Sequence, residues 1–353
     1  MKRQLAVLAL TMLACGGVLS VGYPAQKVKE LWLTSRGTDK VFVRELLSGR
    51  SLAEIQLPKG AQPHITTFHG DYAYVSGMGD GNVYVIDASQ RKVVTVVHVA
   101  ASRVHQLRVS PAGTTALVSV VGTKDIVKIA VDEGRRVWAV AGDASLLTLG
   151  KAPICSLFRS DSRRAYVSLL PNGLAIVDVL SMEVLGTLAT DGFIACGMIK
   201  TRDGNHAVIA SSGSGGHIYT LDMTTDSLVD RGALGATDWH SFNMDPSGTL
   251  GFGTSPMSDE IVVADLTTQP VTKMRTIALT PMPGRAANQP DALGGGDPIF
   301  EGILPVSLRA AGQLALVDAA TLRVKSFIPI SSPAPFDPMT CNGCAIHGVT
   351  VRP

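Results

Sequence analysis

Six residues of the types that hold metals stand at matching places along the chain: His64, His105, Cys155, Cys196, His240 and His347. His105 lies five residues before Ser110, and the same count back from the turns of other apolar runs reaches Cys155, Cys196, His240 and His347, with His64 at the matching place in a shorter unit. Imidazole and thiolate together suit copper or zinc, and several soft ligands in one set favour copper. A second group ends on the last of these histidines: Cys341-Asn342-Gly343-Cys344-Ala345-Ile346-His347. Its C-x-x-C-x-x-H spacing can supply ligands from one glycine-bearing loop, but it is neither the C-x-x-C-H of c-type haem attachment nor a whole zinc ribbon. Asp238 and Trp239, next to His240, are expected to orient its imidazole and to wall a cofactor. Two other readings compete: histidines packed against neighbouring strands, and cysteines joined as Cys155–Cys196 and Cys341–Cys344 disulfides, the usual state in an exported chain.

Other chemistries lack their motifs. The chain has no Gly-x-Ser-x-Gly elbow, no His-Glu-x-x-His helix and no Walker loop, and Gly213-Ser214-Gly215-Gly216 reads as a hairpin rather than a phosphate cradle. Met78, Met198, Met257 and Met339 read as packing or loop residues.

The elements that position the ligands come from a repeat. Units about 40 to 50 residues long each carry four short β-prone runs separated by glycine-, asparagine- or aspartate-bearing turns. One unit holds Tyr72-Ala73-Tyr74-Val75-Ser76 and Val83-Tyr84-Val85-Ile86-Asp87; another holds Ala165-Tyr166-Val167-Ser168 and Gly173-Leu174-Ala175-Ile176-Val177-Asp178. The apolar runs are too short and too β-branched for helices. Four strands per unit make a propeller blade. The first unit has only three runs, and Ile346-His347-Gly348-Val349-Thr350-Val351 has the pattern of the missing inner strand, so the tail is expected to close the ring. The expected blades are 30–58 with 345–353, 60–100, 101–150, 151–190, 191–235, 236–288 and 289–331. In such a ring the starts of the inner strands converge on one mouth of a central channel, which would bring the six His and Cys residues together. The seventh blade has Gly295 at the nearest equivalent place and a Pro- and Gly-rich loop, 281–297, before its strands.

These units resemble YVTN-type β-propeller repeats across nearly the whole expected mature chain. The resemblance implies the fold and little about function, since the family includes surface proteins, ligand binders and parts of redox enzymes. Similar propellers occur in nitrous oxide reductase, where channel histidines hold copper, and in cytochrome-type nitrite reductases, where they hold a haem; the likeness to those enzymes is general.

Composition sets the class. With 46% hydrophobic, 17% charged and 5% aromatic residues, 36 glycines and 19 prolines, the chain of 353 residues is globular and turn-rich rather than disordered. Its formal charge of +2 falls to zero if Lys2 and Arg3 leave with an export signal, which argues against a nucleic-acid partner. Met1-Lys2-Arg3 and the apolar run from Leu5 to Ala14 read as that signal, over residues 1–22, with the propeller as a single domain over 23–353. Cleavage after small residues competes with a lipobox reading of Met12-Leu13-Ala14-Cys15, which would tether the protein through a lipid on Cys15. The expected protein is thus periplasmic or extracytoplasmic. It binds copper in its channel, partners a small molecule or redox protein and, if an enzyme, is a metal-dependent oxidoreductase. The alternatives are a non-catalytic interaction scaffold and a tetrapyrrole-binding accessory propeller.

Overall fold

The computed structural model describes residues 29–140, 142, 145–192, 194, 197–213, 215–235, 239–254, 259–279, 290–291, 299, 301–332 and 344–352. The expected export segment and Cys15 lie outside them. Among the described residues there is no α-helix, and the strands form seven antiparallel sheets.

In chain order the first blade contains β1 (Glu30–Ser35), β2 (Lys40–Glu45) and β3 (Ser51–Gln56). The second has β4 (Pro63–His69), β5 (Tyr72–Gly77), β6 (Asn82–Asp87) and β7 (Lys92–His98). The third has β8 (Val104–Val109), β9 (Thr115–Val120), β10 (Asp125–Asp132), β11 (Val137–Val140) and β12 (Leu146–Thr148). The fourth has β13 (Ala152–Phe158), β14 (Arg164–Leu170), β15 (Leu174–Asp178) and β16 (Glu183–Leu188), and the fifth β17 (Ile199–Lys200), β18 (His206–Ala210), β19 (His217–Asp222) and β20 (Ser227–Ala233). The sixth has β21 (Ser241–Met244), β22 (Leu250–Thr254), β23 (Glu260–Asp265) and β24 (Thr272–Ala278), and the seventh β25 (Pro290–Asp291), β26 (Ile303–Leu308), β27 (Gln313–Asp318) and β28 (Arg323–Pro329). The last strand, β29 (Val349–Val351), pairs with β1 as the inner strand of the first blade. The seven-bladed propeller closed by its C-terminal strand therefore stands as the sequence predicts. Among the described residues the third blade alone departs from four strands, its outer edge being shared between β11 and β12, both paired to β10.

The ring is held by what lies between blades. The buried apolar side chains fall into seven clusters, each between consecutive blades; Leu31, Leu33, Leu314, Leu316, Ile346 and Val349, for example, fill the junction of the seventh blade with the first. Because both faces of a blade are covered, second strands read as continuous apolar runs, as in Tyr72–Gly77, while the outermost strands are largely exposed. The recurring aspartate after the third strand has a local cause. Asp87, Asp178, Asp222 and Asp318 each accept backbone N–H bonds from residues two and three positions on. Such a carboxylate turns the chain toward the outermost strand, and these bonds, preceded at Asp222 by the Thr224 hydroxyl, hold each acid below the usual carboxylate range.

Candidate functional site at one mouth of the channel

The inner strands start at a common mouth, and a ring of hydroxyls fixes where their first residues sit. Thr34, Ser76, Ser119, Ser168, Ser211, Thr254 and Ser307, one near the end of each blade's second strand, are all completely buried. Three of them reach across to the next blade: Thr34 Oγ1 donates to the carbonyl of His64 at 2.7 Å, Ser76 Oγ to that of His105 at 2.8 Å and Ser307 Oγ to that of His347 at 2.7 Å. The backbone of each of these histidines is thereby pinned to its neighbouring blade. His64 and His105 stand at bulges, between Pro63 and Thr66 and between Val104 and Gln106, where an extra residue re-aims a side chain.

Four histidines then meet. The rings of His64 and His347 stack at 4.0 Å between centroids, His105 stands edge-on to His64 at 4.4 Å, and His240 edge-on to His347 at 5.9 Å. His64, His105 and His347 are buried, and neither ring nitrogen of His64 has a hydrogen-bond partner. Two arginines lie in the same nest. Arg309 is 1% exposed and its Nη2 is 3.0 Å from both ring nitrogens of His240, of which only the unprotonated one of a neutral imidazole can accept. Arg36 is also buried and donates to Gln62 Oε1 at 3.0 Å. Burial first, then the neighbouring histidines and both guanidinium groups, hold His64 and His347 well below the ordinary histidine range. Burial and the proximity of Arg309 bring Arg36 down to about 10. The mouth thus holds the neutral, desolvated imidazoles of His64 and His347, with His105 and His240 against them and two guanidiniums beside them, a set that can donate to an anion and offer nitrogen lone pairs to a metal centre.

The cysteines differ from the expectation in two ways. Cys155 is one residue out of register with the histidines: Ser156 pairs with Val167 as Thr66 pairs with Val75, and Cys155 N–H binds Ser168 Oγ as Ile65 N–H binds Ser76 Oγ. Ile154, not Cys155, occupies the place of His64. The cause is a disguised turn. The left-handed position is Gly113 in the third blade, Gly204 in the fifth and Gly248 in the sixth, but Ser162 (φ 63°) in the fourth, so the turn there starts at Arg159. Cys155 and Cys344 are, moreover, both disulfide-bonded, so neither sulfur is a thiolate in this state. Cys155 Sγ does lie 3.9 Å from His105 Nδ1. Cys196, Cys341 and Asp238 lie outside the described residues, as does Gly295. Trp239 is buried, edge-on to Phe242, and pressed on Gly253 so closely that a Cβ there would fall 1.1 Å from the indole, which makes it a packing residue of the sixth blade. Among the described residues no group of three or more His, Cys, Asp or Glu is arranged to hold a metal ion.

Arg36 and Arg309 escaped the sequence reading, yet they had a signal. Each stands two residues after a ring hydroxyl, in Thr34-Ser35-Arg36 and Ser307-Leu308-Arg309, where the second, third, fourth and fifth blades have Met78, Val121, Leu170 and Gly213. Aligning second strands rather than inner strands exposes the pair.

No protein-family profile and no curated protein matches this chain. Solved structures do. A protein of unknown function from Desulfotomaculum acetoxidans is 12% identical, with 92% of this chain and 98% of that one covered and a TM-score of 0.68. Hydrazine synthase of Kuenenia stuttgartiensis is 14% identical over 84% of this chain and 96% of its own, with a TM-score of 0.64. The dihydro-haem d1 dehydrogenase NirN in complex with DHE is 16% identical over 89% and 75%, with a TM-score of 0.59. At these identities the likeness establishes the propeller fold alone, and the YVTN resemblance stays one of repeats.

Proposed function

We propose that the protein is an exported ligand-binding propeller that takes an anionic, haem-type tetrapyrrole at the histidine mouth of its channel. The observation that carries this reading is His64, buried with both ring nitrogens lacking a partner, in a nest that also holds, among the described residues, three further imidazoles and two buried arginines. A buried polar group with unmet hydrogen-bonding capacity is costly unless a ligand completes it. Neutral imidazole is an axial ligand, and guanidinium matches a carboxylate in two-point fashion. Both features of a tetrapyrrole with carboxylate side chains therefore have a counterpart, His64 or a neighbouring histidine for its metal and Arg36 with Arg309 for its acids. Such a group supplies a one-electron couple; the chain excludes water around it, fixes its orientation and keeps the imidazoles unprotonated. The likeness in fold to a dihydro-haem d1 dehydrogenase, NirN, solved in complex with DHE, supports the class. Disulfides at Cys155 and Cys344 suit an oxidising, extracytoplasmic compartment.

Copper is the second reading, favoured by the close approach of several imidazoles and of Cys155 to His105. Two guanidiniums in the nest oppose a bare cation, and the disulfides withhold thiolate.

Titrating the purified protein with haem, and separately with Cu(I) under a reductant, decides between them. The expected result is a near-stoichiometric shifted Soret band that disappears in His64→Ala while the β-sheet circular dichroism persists. Absence of any Soret shift, with stoichiometric copper retained after dialysis, would replace tetrapyrrole by copper; absence of both would leave a scaffold.

A further inference from the structure

The inner strands end at the other mouth of the channel, and there the structure holds a second, separate cleft of about 570 Å³. That volume is in the usual range for a small-molecule site. Arg108 of β8 and Lys200 of β17 stand on its wall, both half-buried, and Arg202 stands exposed at its rim. Leu157, Met198 and Met244 supply an apolar side. The one acid in the lining, Asp245, is committed to its own turn, accepting the backbone N–H groups of Ser247 at 3.1 Å, Thr249 at 2.8 Å and Leu250 at 2.7 Å and the Ser247 hydroxyl. Asp161, which acts on Lys200 from the fourth blade, is paired with Arg159. Among the described residues the side chains of Lys200 and Arg202 make no hydrogen bond or ion pair.

A half-buried ammonium in a cleft with an apolar wall is held there at a desolvation cost, and Lys200 accordingly lies below the usual lysine range through burial and the nearby Arg108. We propose that this cleft binds a small organic anion, a carboxylate or phosphate monoester with an apolar body, its head on Lys200 with Arg202 at the rim and its body against Leu157, Met198 and Met244. The site is independent of the histidine mouth, which shares none of these residues.

Calorimetric titration with octanoate and octyl phosphate tests it, with acetate, inorganic phosphate and octanol as controls. Octanoate or octyl phosphate should bind with submillimolar affinity, and the three controls should each bind about tenfold or more weaker, because each lacks the body or the charge. Whichever alkyl anion binds tighter identifies the head group. Lys200→Gln with Arg202→Gln should weaken binding about tenfold or more, whereas Arg309→Gln should leave it unchanged. No binding of either alkyl anion, equal binding of octanol, undiminished binding in the double variant, or a loss confined to Arg309→Gln would each overturn the proposal. Retained near-ultraviolet circular dichroism in every variant separates a lost ligand from a lost fold.

Discussion

The two mouths of the channel are built from the same inner strands and solve opposite electrostatic problems. At the strand starts, four histidines meet, three of them buried, and burial holds His64 and His347 neutral, with two buried guanidiniums beside them. At the strand ends, Arg108, Lys200 and Arg202 face an open cleft as half-buried or exposed cations. One mouth presents lone pairs and directed donors; the other presents charge. The difference arises from the packing around each: hydroxyls from neighbouring blades close down on the histidine backbones, while the turns at the far end leave the basic side chains space.

That contrast can be broken most severely at His64. Substitution by Leu is expected to abolish tetrapyrrole binding, a loss of about a hundredfold or more in affinity, while raising stability by about 1–2 kcal/mol, because a desolvated ring without partners is replaced by an apolar side chain. Spectral titration and urea denaturation measure the two effects, and a variant that loses stability would show that the ring has a structural task. Thr34→Val comes next: it removes the donor to the His64 carbonyl and the acceptor of the Gly348 N–H, and should cost about 2–3 kcal/mol in the same denaturation experiment.

The pH response sharpens the comparison further. His64 and His347 titrate well below 6.5 in the folded protein and near it in the unfolded chain, so their contribution is intact above about pH 6.5 and is lost as pH falls below it. Each should add a slope of about 1.4 kcal/mol per pH unit, and His64→Leu should remove one of the two. Thermal melts between pH 7 and 5 check this; equal slopes in wild type and variant would mean that His64 is protonated in the fold. The smallest effect belongs to the open mouth, where Lys200→Gln should change stability by no more than about 0.5 kcal/mol, since a half-buried cation that makes no hydrogen bond or ion pair among the described residues contributes little.

The architecture was legible in the sequence because it is written redundantly. Apolar second strands such as Tyr72–Gly77 and aspartates such as Asp87 and Asp178 recur from blade to blade, and each repetition corrects a misreading of the others. The register of a single inner strand has no such protection. Cys155 was placed with His105 because glycine marks the turn in neighbouring blades, and Ser162 does the same work without looking like it. A slip of one residue changes what faces the axis. Arg36 and Arg309 were missed for a related reason: they occur in only two blades, so repetition cannot announce them, and only the folded ring makes the seventh and first blades neighbours. The convergence of His64, His105, His240 and His347 was readable, as four histidines sharing one place in the repeat.

The closing strand has a consequence for how the protein comes into being. His347 N–H binds the carbonyl of Thr34, and Gly348 exchanges bonds with the same residue, so the histidine nest is knotted together from opposite ends of the polypeptide. During synthesis, His64 and His105 emerge long before their companion. A chain cut between Pro329 and His347 would keep six whole blades, with an open seam and no complete histidine nest. Completion of the nest therefore waits on closure of the ring, which makes the geometry of that mouth a report on whether the first and seventh blades have met.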